Sequence, residues 1–310
     1  MIKDIKKVNI LYNPVSTGFS EKKLNQIYDV VKNSSYKLDI FKSNEKGSIT
    51  KLIEELDDEN TLIITLGGDG TVSEAYKGYN NIDQKGLYSH VPTGTANDMA
   101  KNLDVRYKDA DKITRDILNG EVTLMDSFKV NDEIACYTSV FGYLAHVPYV
   151  TPSILKRSLK KGGYILYASK YIIKKPVKYN ISYETDNIKG NTDCILGAVS
   201  NSKGFAGINI YKDAILNDGK LELLLIKEPS ASLIAKVVRD YLRNDVDLNK
   251  YKDYLIMDKT SNIKLTFNDT YPAFSFDNDG EKSSIKPDWA NKDVTFSIAK
   301  PVKVLKRKIK

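Results

Sequence analysis

The chemistry that this sequence can support is concentrated in a short glycine-rich stretch, Leu66-Gly67-Gly68-Asp69-Gly70-Thr71, between an apolar run and a helical pattern. Glycines let a ligand approach the backbone, and amide N–H groups at the start of a helix bind anions. Asp69 would repel a phosphate there unless a divalent cation lay between them. The stretch therefore predicts a polyphosphate held by backbone amides, with Asp69 directed at Mg²⁺. The alternative is an ordinary tight turn with a solvated aspartate.

A second turn of the same kind follows the next strand-like run. Residues 86–91 are predicted as a strand, and Pro92-Thr93-Gly94-Thr95-Ala96-Asn97-Asp98 leads from them into a helical pattern. Both turns would lie at one edge of a single sheet, where the carboxyl ends of parallel strands bind ligands. Two matching turns favour a phosphate site over two unrelated loops.

The elements that carry these turns alternate between strand and helix patterns over the first 125 residues. Helix patterns begin after Ser20 and Ser48, with apolar residues spaced i, i+3, i+4, i+7. The predicted strands are 8–12, 38–41, 61–66 and 86–91. This alternation predicts an N-terminal α/β domain with a doubly wound, mostly parallel sheet. From about Met125 the pattern changes to hairpins, which predicts an antiparallel β-sandwich domain.

Composition and charge narrow the function classes. The net charge of +7 and sequence pI near 9.0 fit an anionic substrate or membrane face, as well as a solvated lysine-rich surface. Cys136 and Cys194 lie in apolar runs and read as buried thiols of a cytoplasmic protein. With only His90 and His146, a zinc site or a Ser-His-Asp hydrolase is disfavoured. No run approaches the ~18 apolar residues of a membrane span, and the N-terminal run is too short for a signal peptide.

Two further loops are rich in turn-forming and acidic residues. One contains Asn217-Asp218-Gly219-Lys220-Leu221, and the other contains Asp277-Asn278-Asp279-Gly280-Glu281. Taken singly, each is also compatible with a simple hairpin turn.

Taken in order with Asn13-Pro14, these turns and loops resemble the bacterial diacylglycerol kinase-like lipid kinases. The catalytic domain of that family is shared with eukaryotic diacylglycerol and sphingosine kinases. The resemblance extends from Lys7 to the last strand. The Gly-Gly-Asp-Gly-Thr element at 67–71 also occurs in NAD kinases, whereas the Pro-x-Gly-Thr-x-Asn-Asp element at 92–98 is more specific to the lipid kinases.

The resemblance implies a nucleotide-binding α/β domain at 1–125 and a lipid-substrate β-sandwich domain at 126–292. The segment 293–310 is a last strand that belongs to either domain. ATP and Mg²⁺ would bind in a cleft between the domains. The implied nucleotide-binding residues are Asn13, Gly67, Gly68, Gly70, Thr71, Gly94, Thr95 and Asn97. The implied Mg²⁺-binding residues are Asp69, Asp98, Asp218 and Leu221. Asp279 would be the base that takes the lipid hydroxyl proton, and Glu281 would orient that site.

The sequence departs from the family pattern at several positions. The first loop, 13–18, is one residue longer, and the acid of a Gly-Phe-Asp-Ala element is replaced by Leu144. A triple glycine reads Phe205-Ala206-Gly207, with Lys212 in place of a later proline. The paired aspartates before Gly219 read Asn217-Asp218. These changes leave the core chemistry intact and leave the acceptor open.

A basic amphipathic segment at 154–179 is the feature that points to a membrane. Its lysines and arginine lie among apolar residues, which favours contact with an anionic bilayer about as much as a solvated helix face. The basic tail at 303–308 is more typical of a solvated terminus.

The sequence therefore predicts a cytoplasmic, membrane-peripheral lipid kinase of phospholipid biosynthesis. It would use ATP and Mg²⁺, with diacylglycerol as acceptor and phosphatidic acid as product. Phosphatidylglycerol, ceramide and sphingosine stay open as acceptors. The alternatives are a NAD kinase and a catalytically silent regulator that binds lipid or nucleotide. No nucleic-acid partner is expected, and a homodimer is left open.

Overall fold

The computed structural model describes residues 4–94, 97–103, 105, 109–142, 177–204, 211, 214–243, 247–271, 275–287 and 292–308. The chain divides into two compact units, one formed by 1–127 with 299–310 and the other by 128–298. The basic segment predicted at 154–179 lies almost entirely outside the described residues. Within the described residues, no helix combines the length and apolar character needed to cross a membrane.

The first unit alternates strands and helices along most of its length. In chain order its elements are β1 (Lys7–Tyr12), α1 (Glu21–Lys32), β2 (Lys37–Lys42), α2 (Ser48–Leu56), β3 (Thr61–Gly67), α3 (Asp69–Asn81), β4 (Leu87–Pro92), α4 (Asp98–Asn102), α5 (Ala110–Leu118) and β5 (Glu121–Met125).

The second unit is mainly β. Its described elements are β6 (Phe128–Val130), β7 (Glu133–Ala135), β8 (Thr138–Gly142), β9 (Tyr179–Thr185), β10 (Lys189–Cys194), β11 (Leu196–Ser200), β12 (Leu221–Ile226), α6 (Ala231–Leu242), a 3₁₀ helix (Leu248–Tyr254), β13 (Leu255–Thr260), β14 (Asn262–Phe267), β15 (Asp277–Asn278), β16 (Glu281–Lys282) and β17 (Asp293–Ile298). The chain then contributes β18 (Val302–Lys306) to the first unit.

The sheet of the first unit has the strand order β2-β1-β3-β4-β18-β5, in which β5 alone pairs antiparallel among the described strands. β3 is buried along its whole length, because both faces of the sheet are covered. The Ser20 side chain caps α1 by accepting from the Lys23 N–H, and α1 buries the apolar face that its periodicity predicts. The predicted doubly wound, mostly parallel α/β domain is confirmed.

Two antiparallel sheets make up the second unit, with the orders β10-β9-β14-β17-β6-β7 and β13-β12-β11-β8-β15-β16. They enclose one apolar core with an aromatic centre, in which Phe141 contacts Phe267 and Phe276 at centroid distances of 5.2 Å. This arrangement confirms the predicted β-sandwich.

The last strand predicted from the sequence is two strands in the structure. β17 pairs with β14 and β6 in the second unit, whereas β18 pairs with β4 and β5 in the first. Pro301 lies between them and has no N–H to donate to a ladder, which explains why a continuous strand ends there.

Candidate active site

Three loops meet at the carboxyl ends of β1, β3 and β4. The Asn13 N–H donates to the Leu66 carbonyl at 2.9 Å, and the Thr93 N–H donates to the Gly67 carbonyl at 2.6 Å. The Gly18 N–H closes the set by donating to the Thr93 carbonyl at 2.7 Å. These bonds fix the loop after each strand to its neighbour, so the two glycine-containing turns predicted from the sequence lie side by side.

The two turns touch through glycine backbones. A Cβ on Gly94 would lie 2.8 Å from the Gly68 Cα, and a Cβ on Gly68 would lie 3.2 Å from the Gly94 Cα. A Cβ on Gly67 would overlap the Thr71 side chain. Larger residues at these positions would therefore push the turns apart. The Thr71 Oγ1 is buried beside this contact and has no hydrogen-bond partner in the described part of the chain.

The second turn is held by its own asparagine. Asn97 has a φ of 50°, and its side chain accepts from the Gly94 N–H at 2.8 Å and donates to the Gly94 carbonyl at 2.7 Å. Asparagine tolerates the left-handed conformation better than most residues, and its amide completes the loop. This contact gives the side chain of Asn97 a structural role.

Two acidic residues lie at the starts of the helices that follow these turns. Asp69 is the first residue of α3, and its Oδ1 accepts from the Met99 N–H at 3.1 Å. Asp98 is the first residue of α4 and is buried. The bond to Met99 brings the Asp69 carboxylate to the peptide that follows Asp98. Carboxylates next to backbone amides suit a divalent cation that in turn holds phosphate oxygens.

Those nucleotide-binding residues predicted from the sequence that the structure describes lie together at this edge of the sheet. Asn13 forms an Asx turn, because its Oδ1 accepts from the Val15 N–H at 3.1 Å. Thr95 lies outside the described residues. Of the predicted Mg²⁺-binding residues, Asp69 and Asp98 belong to this first unit, and Asp218 and Leu221 belong to the second.

Below the turns lies a polar network in the same sheet. The Thr65 hydroxyl is 2.8 Å from the Tyr88 hydroxyl and 2.8 Å from the His90 Nδ1. Burial lowers the pKa of His90 to about 3, although the backbone groups of Thr65 and Gly67 act in the opposite direction. His90 is therefore a neutral core residue, and sequence reasoning did not assign it this position.

In the second unit, β15 and β16 form a hairpin whose turn residues are Asp279 and Gly280, with φ values of 56° and 86°. The Asp279 side chain is 1% exposed and points back onto the segment between β7 and β8. Its carboxylate accepts three backbone N–H groups, from Cys136 at 2.7 Å, Tyr137 at 2.9 Å and Thr138 at 3.1 Å. The side chain therefore ties the hairpin to the neighbouring chain segment.

This arrangement does not favour the role of base that the sequence predicts for Asp279. Burial raises the pKa of Asp279, and the three backbone donors oppose that rise. A carboxylate whose two oxygens are occupied by backbone N–H groups has little capacity left for an incoming hydroxyl. Glu281 follows two residues later on β16, and its side chain is half-buried.

Glu133 holds the same hairpin from its other side. Its Oε2 accepts from the Asn278 amide at 2.8 Å and the Ser283 hydroxyl at 2.7 Å, and its Oε1 accepts from the Ser284 N–H at 2.9 Å. Burial raises the pKa of Glu133, but these donors outweigh it and leave the pKa below its ordinary value. Sequence reasoning missed Glu133, because no spacing links it to a hairpin some 145 residues away.

The loop before β12 places Asp218 against a lysine. The Asp218 Oδ2 is 2.7 Å from the Lys259 Nζ, and its Oδ1 accepts from the Lys220 N–H at 3.2 Å. Lys259 also approaches the Glu222 Oε1 at 3.7 Å. Burial raises the pKa of Glu222 to about 7, with the Lys259 charge lowering it and the Asp218 charge raising it. The sequence analysis did not predict that Lys259 and Glu222 lie beside this loop.

Comparison with known proteins bears on the identity of this arrangement. Residues 7–130 match the family model "Diacylglycerol kinase catalytic domain". This part of the chain is therefore similar to the catalytic domain of the diacylglycerol kinases, which are lipid kinases. The resemblance drawn from its motifs is thus confirmed.

Relatives match the chain over most of its length. A "Diacylglycerol kinase" of Bacillus subtilis is 26% identical over 286 residues, covering 91% of this chain and 92% of that one. A "Diacylglycerol kinase" of Staphylococcus aureus is 25% identical over 237 residues, covering 75% and 74%. A crystal structure of a diacylglycerol kinase from Bacillus anthracis has a TM-score of 0.74 at 18% identity and covers 97% of both chains, which shows a shared fold.

Proposed function

We propose that this protein is a lipid kinase, which transfers the γ-phosphoryl group of ATP to the hydroxyl of a membrane lipid. Diacylglycerol is the proposed acceptor, phosphatidic acid the product, and Mg²⁺ the required metal. The observation that carries the proposal is the close approach of Gly68 and Gly94 at the carboxyl ends of β3 and β4. It brings the backbones of the two turns side by side at the starts of α3 and α4, an arrangement that suits a phosphate chain, within a segment that matches a kinase family.

Phosphoryl transfer depends mainly on positioning and charge, with little covalent work for the protein. In the first unit, the loop after β1 and the turns after β3 and β4 would hold the phosphates through their amides. Thr71 contributes a buried hydroxyl that lacks a partner in the described chain, which supports a ligand at this position. Asn97 shapes the second turn so that its amides stay in place.

The residues at this edge also fit a magnesium ion. Asp69 and Asp98 would hold it, because both carboxylates adjoin the amide-rich turns and are oxygen ligands of the kind Mg²⁺ prefers. When bound, the ion would neutralise charge on the phosphates. Asp218 and Leu221 are left out of this proposal, since Asp218 already pairs with Lys259.

The acceptor hydroxyl needs a group that takes its proton. We assign that role to Glu281 and give Asp279 a positioning role, because the carboxylate of Asp279 is occupied by three backbone donors. In the transfer step, the hydroxyl oxygen bonds to the γ-phosphorus, and the bond to the bridging oxygen of ADP breaks. The hydroxyl proton passes to Glu281. Such a base typically contributes a factor of ~10²–10⁴.

The proposal includes peripheral binding at the inner face of the cell membrane through the basic segment 154–179. Its support is the combination of basic and apolar residues in this segment, which suits an anionic bilayer surface.

The test is turnover on a defined acceptor. Purified protein is incubated with ATP, Mg²⁺ and diacylglycerol in detergent micelles, and phosphatidic acid is identified by mass spectrometry. We expect phosphatidic acid and ADP in equal amounts, and much slower formation with Glu281→Gln. ADP release at the same rate without lipid would contradict the proposed acceptor class.

A further inference from the structure

A lysine of β13 places its positive charge beside the loop before β12, where a metal ion was expected. We infer that the ammonium group of Lys259 takes the place of the divalent cation predicted at Asp218, so that this loop folds without a metal ion. The inference concerns the second unit alone and does not depend on which lipid accepts the phosphoryl group.

The backbone determines where the ammonium group lies. Lys259 in β13 stands directly opposite Glu222 in β12 in the strand register. From that position its Nζ reaches the Asp218 Oδ2 at 2.7 Å and the Glu222 Oε1 at 3.7 Å. One lysine thus contacts two carboxylates that lie four residues apart in the chain. Because strand pairing fixes its Cα, Lys259 is positioned before any ligand binds.

A divalent cation and an ammonium group compete for the same oxygens. Carboxylate oxygens are the ligands that Mg²⁺ prefers, and they are also the acceptors for the three N–H donors of an ammonium group. Both oxygens of Asp218 are in use, Oδ2 with Lys259 and Oδ1 with the Lys220 N–H. A metal ion at either oxygen would have to lie beside the positive charge of Lys259 or displace that lysine. The residues present therefore do not fit the predicted ion.

Two sequence features agree with this assignment. The pair of aspartates expected before Gly219 reads Asn217-Asp218, so one carboxylate is missing from the loop. Leu221, which was expected to contribute to the metal site, is the first residue of β12 and pairs with Thr260. One aspartate whose negative charge is balanced by one lysine attracts a divalent cation less strongly than two aspartates would.

Glu222 provides the means to test the exchange of cations. Its side chain is 7% exposed, and its Oε2 has no hydrogen-bond partner among the described residues. If Lys259 is removed, Asp218 and Glu222 remain as two carboxylates close to one point without a positive charge. Such a pair should attract a divalent cation.

The experiment measures the thermal midpoint of unfolding with MgCl₂ and with NaCl of equal ionic strength, without nucleotide or lipid. We expect the response of the wild-type protein to MgCl₂ to match that of Asp218→Asn. Lys259→Met should gain a rise of about 3–6 °C at a Mg²⁺ concentration about tenfold above its dissociation constant. The double variant Lys259→Met/Asp218→Asn should lose that rise.

Two controls exclude general effects of charge removal. Lys264→Met removes a lysine that pairs with Asp293 at 2.7 Å on the same unit, and we expect no added response to Mg²⁺. Lys259→Arg retains the positive charge and should behave as the wild type. The inference is wrong if wild-type protein is stabilised by Mg²⁺ and Asp218→Asn removes that effect. It is also wrong if folded Lys259→Met gains no response.

Discussion

The roles of Asp279 and Glu281 can be separated by their effects on stability and turnover. The Asp279 carboxylate is buried and accepts N–H groups from Cys136, Tyr137 and Thr138 at 2.7–3.1 Å. Asparagine at this position keeps one oxygen and turns an NH₂ group toward at least one of these donors. Loss of a hydrogen bond to a charged acceptor, with a buried N–H left unpaired, costs about 2–3 kcal/mol.

This cost predicts a lower midpoint of thermal unfolding for Asp279→Asn. For a unit the size of 128–298, the expected decrease is about 5–10 °C. Glu281→Gln should change the midpoint by no more than about 1–2 °C, because the side chain is only half-buried and glutamine has nearly the same size and shape. Its kcat should fall by a factor of ~10²–10⁴.

The assay uses one preparation of each variant for calorimetric unfolding, ATP affinity and turnover on diacylglycerol. ATP affinity should stay near the wild-type value in both variants, because the proposed phosphate loops belong to the other unit. The reasoning is refuted if Asp279→Asn keeps its unfolding midpoint and loses turnover, since Asp279 would then be the base. It is also refuted if Glu281→Gln turns over normally.

Further predictions follow from other parts of the structure. Gly94→Ala should destabilise the protein by about 1–3 kcal/mol and weaken ATP binding in calorimetry, because the added Cβ would meet the backbone of Gly68. The control is Gly190→Ala, whose Cβ would meet only the end of a tyrosine side chain, and it should not affect ATP binding. Asp69→Asn should retain the fold, since its oxygen can still accept from a backbone N–H, and should lose turnover most strongly at limiting Mg²⁺. Burial raises the pKa of Glu222 in the folded state from 4.5 to about 7. The free energy of unfolding should therefore fall by on the order of 3 kcal/mol as the pH rises from 4.5 to about 7. Glu222→Gln should flatten this pH dependence in denaturant titrations. Neutralising the basic residues of 154–179 should reduce cosedimentation with anionic vesicles without changing ATP hydrolysis in detergent.

The local sequence pattern was sufficient to predict the strands and helices that carry the two glycine-containing turns. The buried run at 61–66 and the helix that follows it are short-range features, as are the glycines between them. Parallel strand order then requires both turns to lie at one edge. The helix cap at Ser20 and the apolar face of α1 also follow from nearest neighbours along the chain.

The roles of individual carboxylates depend on contacts that sequence spacing does not record. The Asp279 carboxylate accepts from the N–H of Cys136, 143 residues earlier in the chain, and this contact is the reason that we propose a positioning role for Asp279. Lys259 reaches Asp218 only because β13 pairs with β12. Sequence spacing also did not predict the break at Pro301, where the chain leaves the sheet of β17 and enters the sheet of β18.

The central claim is that the chain phosphorylates a lipid hydroxyl. The most direct measurement incubates the purified protein with γ-labelled ATP, Mg²⁺ and a total bacterial lipid extract, and then separates the aqueous and organic phases. We expect label in the organic phase, in a product that mass spectrometry identifies as phosphatidic acid. The Glu281→Gln variant should not form this labelled product. Label in NADP when NAD is supplied, or no labelled lipid from any extract while ATP still binds, would contradict it.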